Sequence, residues 1–132
     1  MNKTYQLLSE SINKTEENPI VKKDRLTKPF IYLYHGTNYK NFKELDPKIM
    51  GTHWDSSTLT QIEKITGSKQ PVIFLASDKR YAKTYGKIIL KVKVYTKYLY
   101  FSMSQYIGPG YIDEYLYTKK IPFKDIEIVN ES

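Results

Sequence analysis

The apolar positions of this chain change their period along its length, and the changes mark out elements. Residues 30–35, FIYLYH, and 71–76, PVIFLA, are short unbroken apolar and aromatic runs, the pattern of buried strands. In KIILKVKVY, residues 87–95, Ile88, Leu90, Val92 and Val94 take one face and Lys91 and Lys93 the other, which predicts a half-buried strand. KYLYFS at 97–102 extends the sheet, and 113–120 and 123–130 read as two final strands. Other segments carry helical spacing. Tyr5, Leu8 and Ile12 form one stripe, and Tyr39, Phe42 and Leu45 recur every three residues until Pro47. Over 58–67, Leu59, Ile62 and Ile65 share a side, Thr58 and Gln61 make a capping box, and Gly67 marks the C-terminal end. Ser77 and Asp78 are placed to cap a helix running from Lys79 to Tyr85 and closed by Gly86. Asn18-Pro19, Lys28-Pro29, GTHWDSS at 51–57 and Gly-Pro-Gly at 108–110 punctuate the chain as turns and loops. Strands separated by short helices, without regular βαβ alternation, predict an α+β domain.

Composition narrows this further. A chain of 132 residues suits one domain, which at this size buries about two-thirds of its unfolded surface. The division expected is a polar extension over 1–28, with six Lys/Arg and four Asp/Glu, and a domain over 29–132. Cysteine is absent, which excludes disulfides, thiolate metal sites and cysteine nucleophiles. No apolar run approaches a membrane span, and the first residues lack the layout of a signal peptide, so a cytoplasmic monomer is expected. The net charge of +7 attracts polyanions. From 79 to 97 there are seven basic residues and no acidic one, and 13 tyrosines are spread along the chain. Tyrosine favours strands, and interleaved with lysine it also suits stacking on bases.

Candidate chemistry is sparse. The histidines are His35 and His53, too few for a metal site without a carboxylate pattern to complete it, so no metal is expected. Gly-x-Ser-x-Gly and the glycine-rich nucleotide fingerprints are absent. What remains is a histidine followed by glycine at a strand end, Tyr34-His35-Gly36-Thr37, where a flat ligand can approach the backbone closely because Gly36 has no Cβ.

Three segments, YHGT at 34–37, IFLASDKRYAKTYG at 73–86 and YIDEYLYTKKIPFKDIEIV at 111–129, fall in the order and spacing of a known family. Over residues 30 to 129 the chain resembles the ADP-ribosyltransferases of the His-Tyr-Glu class, which includes the diphtheria toxin catalytic domain and the poly(ADP-ribose) polymerases. The resemblance implies two packed antiparallel sheets with short flanking helices around an NAD cleft. It implies that Phe74 and Tyr85, 85 − 74 = 11 positions apart, sandwich the nicotinamide, with Tyr81 as a substitute stacker. It implies that His35 bonds a ribose hydroxyl, that the Gly36 backbone clamps the carboxamide and that Thr37 supports the turn or the adenosine side of the NAD. Glu114 would stabilise the cationic transition state, with Asp113 as the alternative acid.

The chain departs from the family in three places, one being Phe74, where a tyrosine is common. Ile112 stands where arginine-specific members carry Glu, and Ala82 where polymerase-type members carry Ser. The Ile112 departure leaves the acceptor open; poly-chain elongation does not suit so compact a domain, so mono-transfer of ADP-ribose from NAD to an unspecified macromolecule, protein or nucleic acid, is the expected activity, as in a bacterial or phage effector. Tyr106 and Tyr111, flanking the Gly-Pro-Gly turn, are the expected target contacts. The alternatives are NAD hydrolysis without an acceptor, a non-catalytic nucleic-acid binder using the Lys/Tyr surface, and an RNA 2′-phosphotransferase. The last needs arginines around a phosphate, and the chain offers Arg25 and Arg80.

Overall fold

A computed structural model of the chain describes residues 16–39, 43–49, 54–107 and 110–131. Helix α1 spans Pro19–Thr27; the Asn18 side chain caps it by accepting from the amides of Ile20 and Val21, and proline fills its first turn. Strand β1, Phe30–Thr37, follows. A two-residue strand β2, Glu44–Leu45, and a 3-10 turn, Pro47–Ile49, come next, and then α2, Ser56–Thr66. Strand β3, Ile73–Ala76, leads into α3, Lys79–Ala82. The chain ends in β4, Ile88–Tyr95, β5, Leu99–Ile107, β6, Gly110–Tyr117, β7, Ile121–Pro122, and β8, Ile126–Glu131.

The architecture is mixed α+β. Six strands form one antiparallel sheet in the order β5-β6-β3-β1-β4-β8, and β2 pairs with β7 in a small second sheet. In place of two separate main sheets there is one sheet with two halves. Those halves, β5-β6-β3 and β1-β4-β8, meet at the single registered pair Tyr34–Ala76. Ile73, Leu75, Tyr115 and Tyr117 of one half share a core with Ile31, Leu33, Leu90, Val92 and Val94 of the other. On the opposite face α2 covers the first half through Ile62, packed with Val72 and Leu116. There α3 covers the second half through Ala82, packed with Ala76 and Ile89.

Several local expectations are corrected by competing interactions. The helix over 37–47 does not form in its described part: Leu45 is buried and registered opposite Ile121 as strand, while Tyr39 lies 67% exposed. Helix α2 starts two residues before Thr58 because the Asp55 carboxylate accepts from the Thr58 amide, displacing the predicted capping box. Its end is as predicted, with Gly67 in the left-handed region at φ 87°. The helix expected to reach Tyr85 stops at Ala82. Its last amides bond i to i+3, Thr84 N to Tyr81 O and Tyr85 N to Ala82 O, and the Thr84 hydroxyl also bonds back to Tyr81 O. The segment 123–130 divides into a 3-10 turn, Phe123–Asp125, and β8. Between Asn18-Pro19 and Lys28-Pro29 the chain forms a helix that the sequence reading passed over. The stripe Tyr5, Leu8, Ile12 and also Phe42 and His53 lie outside the described residues.

Candidate functional site

The split between the two halves of the sheet positions the site. Beyond Tyr34–Ala76, β1 continues to Thr37 while β3 lies alongside without further registered partners. The His35 side chain spans this gap: its Nδ1 lies 2.8 Å from the carbonyl oxygen of Phe74. A carbonyl only accepts, so Nδ1 carries the proton and Nε2 is left as the acceptor nitrogen. His35 is buried, and burial pushes its pKa below the ordinary value of 6.5, partly offset by the Phe74 carbonyl. Around neutral pH the ring is an uncharged, oriented imidazole.

Tyr85 and Glu114 meet on the sheet face that carries Phe74. Glu114 is registered opposite Ala76 of β3, and Phe74 stands two residues before Ala76 on the same face. The Tyr85 hydroxyl donates to Glu114 Oε1 at 2.6 Å, and the Ser102 hydroxyl donates to Glu114 Oε2 at 2.9 Å. Both carboxylate oxygens are thus held, and the carboxylate is oriented from two sides. Burial raises the Tyr85 pKa, and the charge of Glu114 and the hydrogen bond to it raise it further, so the phenol stays protonated as a donor. Ser102 reaches Glu114 because β5 is irregular there: the register skips from Phe101–Tyr115 to Met103–Glu114.

Aromatic rings line the same place. Phe74 and Tyr85 stack at 6.3 Å between centroids with an interplanar angle of 22°. Trp54 stacks on Phe74 at 6.3 Å and 15°, and Tyr81 meets Tyr85 edge-on at 5.6 Å. The structure therefore brings together Phe74, Tyr81, Tyr85 and Glu114, and His35 is tied to this group through the Phe74 carbonyl; the five come from three separate stretches of sequence. Ser102 and Trp54 join them; sequence reasoning missed both, since a serine in an aromatic strand and a tryptophan in a loop carry no local signal.

The other expected residues sit differently. A Cβ at Gly36 would lie 1.8 Å from the Ala82 carbonyl oxygen, and one at Gly86 would lie 2.3 Å from the Thr37 carbonyl carbon. The side of Gly36 that lacks a Cβ is filled by the protein's own backbone, and the two glycines let the α3 turn lie directly on the end of β1. Thr37 is buried, and its hydroxyl accepts from the Tyr39 amide. Tyr106 and Tyr111 are registered opposite each other in the β5–β6 hairpin, with side chains outside the described set.

Asp113, the alternative acid, points to the other face. It is fully buried and accepts from the Ser104 hydroxyl at 2.7 Å, the Asn18 amide at 3.0 Å and the Tyr115 hydroxyl at 3.2 Å. The Tyr115 hydroxyl also donates to Glu17, which Arg25 holds through two bonds of 2.9 and 2.7 Å. This network ties the start of α1 to the middle of β6, and it is structural rather than open to a ligand.

Among the described residues no group of three or more His, Asp or Glu is placed to hold a metal, and no helix is long and apolar enough to cross a membrane. A groove of about 450 Å³ runs between α1 and β1, lined by Val21, Asp24, Lys28, Phe30 and Tyr32 among others; the site residues do not line it. Comparison with protein-family models, with curated proteins and with solved structures finds no match.

Proposed function

We propose that this chain is an NAD-dependent mono-ADP-ribosyltransferase with its site at the split of the sheet. The observation that carries the reading is the convergence on Glu114: a protonated phenol and a serine hydroxyl orient its carboxylate beside the stacked Phe74–Tyr85 pair, while His35 bonds the Phe74 carbonyl.

Each residue has a physical task in that reaction. Phe74 and Tyr85 offer ring faces for the nicotinamide. A flat ring seated between them needs about 7 Å, twice the usual carbon–carbon contact, so the pair, now at 6.3 Å, opens by about 0.7 Å on binding. Tyr85 stands in a turn rather than in a helix, which suits such a movement. His35 Nε2 accepts from a ribose hydroxyl. The bond from the ribose C1′ to the nicotinamide nitrogen then breaks, its electron pair leaving with the neutral nicotinamide. Positive charge grows on C1′ and the ring oxygen, and the Glu114 carboxylate stabilises it. The acceptor nucleophile forms the new bond to C1′ and releases its proton. Tyr106 and Tyr111 remain the assigned acceptor contacts: their alanine variants are expected to lose transfer while retaining slow NAD hydrolysis.

The 2′-phosphotransferase reading is weaker because both arginines are engaged, Arg25 with Glu17 and Arg80 with Asp78. The deciding experiment incubates the protein with NAD labelled in the adenylate moiety and a cell extract. Label on a macromolecule with matching release of nicotinamide supports transfer. Absence of both, with no NAD binding by calorimetry, overturns it.

A further inference from the structure

The outer face of β1 and β4 carries a second arrangement that the transferase reading does not use. Phe30, Tyr32 and Tyr34 alternate along β1, so their side chains leave the same face, and the Phe30 and Tyr32 rings meet edge-on at 6.0 Å between centroids. Their registered partners on β4 are Tyr95, Lys93 and Lys91. Directly opposite residues of an antiparallel pair share a face, so three rings of one strand meet two lysines and a tyrosine of the next. The ammonium groups lie over the rings. Lys93 Nζ is 4.1 Å from the Phe30 centroid, Lys91 Nζ 5.2 Å from that of Tyr32, and Lys79 Nζ of α3 5.8 Å from that of Tyr34. Tyr32 is 53% exposed and Tyr95 39%. Glu127, opposite Lys91 on the edge strand β8, is an acid at the rim of this face.

We infer that this face binds single-stranded nucleic acid. Each repeat offers the two things a nucleotide needs: a ring for the base and a cation for the phosphate. The lysine stem is flexible, so an ammonium can leave the ring for a phosphate and uncover the ring for a base in one movement. The fit is to single strands, because the bases of a duplex are already stacked on one another. An acidic protein would match the charge but would have no use for the exposed rings of Tyr32 and Tyr95 beside these lysines.

The face lies on the same side of the sheet as the candidate site, with Ala76 buried under α3 between them. Lys91, Tyr34, Ala76 and Glu114 are successive registered partners across β4, β1, β3 and β6. At about 4.8 Å per strand, Glu114 is roughly 10 Å from Tyr34 along the sheet. That the bound strand is also the ADP-ribose acceptor rests on the transferase reading; the binding itself does not.

The test is fluorescence anisotropy with the full chain, without NAD, using labelled 12-nucleotide RNA and DNA strands, their duplexes and polyglutamate. Single strands are expected to bind more tightly than duplexes, with affinity falling steeply with salt. Tyr32→Ala should weaken binding on the order of tenfold, and Lys93→Gln should reduce the log–log salt slope by about one. Tyr32 is half exposed, so its loss leaves the fold intact, and far-ultraviolet circular dichroism checks this. Glu114→Gln should bind as the wild type does, which separates this result from any failure of the transferase reading. Equal binding to duplex, polyglutamate binding as tight as that of the strands, or unchanged affinity in Tyr32→Ala would each overturn the inference.

Discussion

The Tyr85 hydroxyl donates to Glu114 Oε1 at 2.6 Å across 29 residues of chain, and the Ser102 hydroxyl holds the other carboxylate oxygen. One carboxylate is thereby fixed from a turn and from a neighbouring strand, while the adjacent acid, Asp113, is turned to the opposite face and spent on structure. That division makes the roles of two neighbouring acids separable by experiment.

Glu114→Gln should reduce ADP-ribose transfer by on the order of 10²–10³-fold, the range for losing one preorganised electrostatic contact. NAD affinity should change little, because the charge develops only in the transition state. Asp113→Asn should instead lower the thermal midpoint, since it disturbs a buried network. Kinetics and melting curves on both variants decide the matter, and a fully active Glu114→Gln protein would remove this residue from catalysis.

Ser102 acts through Glu114 and is a positioning residue. Ser102→Ala should lower kcat roughly tenfold at unchanged KM, with Ser102→Thr restoring part of the rate. The thermal midpoint should stay near that of the wild type, because the lost bond is only partly buried. A matched fall in stability and rate, without rescue by threonine, would mean that Ser102 supports the strand rather than the carboxylate.

Stability should depend on pH through His35. Its folded pKa lies below the ordinary value of 6.5 because burial disfavours the charged ring. The unfolded chain then binds the proton more readily, so the contribution is fully present above about pH 6.5 and is lost as pH falls. Urea midpoints should be flat above that point and decline below it. In His35→Asn part of this decline should disappear; superimposable profiles would locate the pH dependence elsewhere.

Gly36→Ala should destabilise by on the order of 3 kcal/mol, since its Cβ would lie 1.8 Å from the Ala82 carbonyl oxygen and backbone cannot step aside as a side chain can. Because α3 leads into Tyr85, NAD binding should weaken as well. Chemical denaturation with calorimetry measures both, and a variant as stable as the wild type would show that the α3 turn moves freely.

Arg25→Met should cost about 3 kcal/mol, because Glu17 would keep a buried charge without its bidentate partner. The double variant with Glu17→Gln should recover part of that loss, and a double-mutant cycle reads the coupling.

The sequence by itself determined the elements whose signal is local. The alternation of Ile88, Leu90, Val92 and Val94 with Lys91 and Lys93 appears as β4, and Gly67 and Asp78 stand at helix ends as their side-chain chemistry requires. It also singled out His35, Phe74, Tyr85 and Glu114, through the order of their segments. The tertiary structure alone decided where these groups meet. The split after Tyr34–Ala76, the irregularity that turns Ser102 to Glu114, the stacking of Trp54 on Phe74 and the seating of Gly36 under Ala82 join residues far apart in the chain. The spacing that predicted a helix through Leu45 failed for the same reason. Leu45 found a buried place opposite Ile121, and burial in a distant pairing outweighs a weak local period.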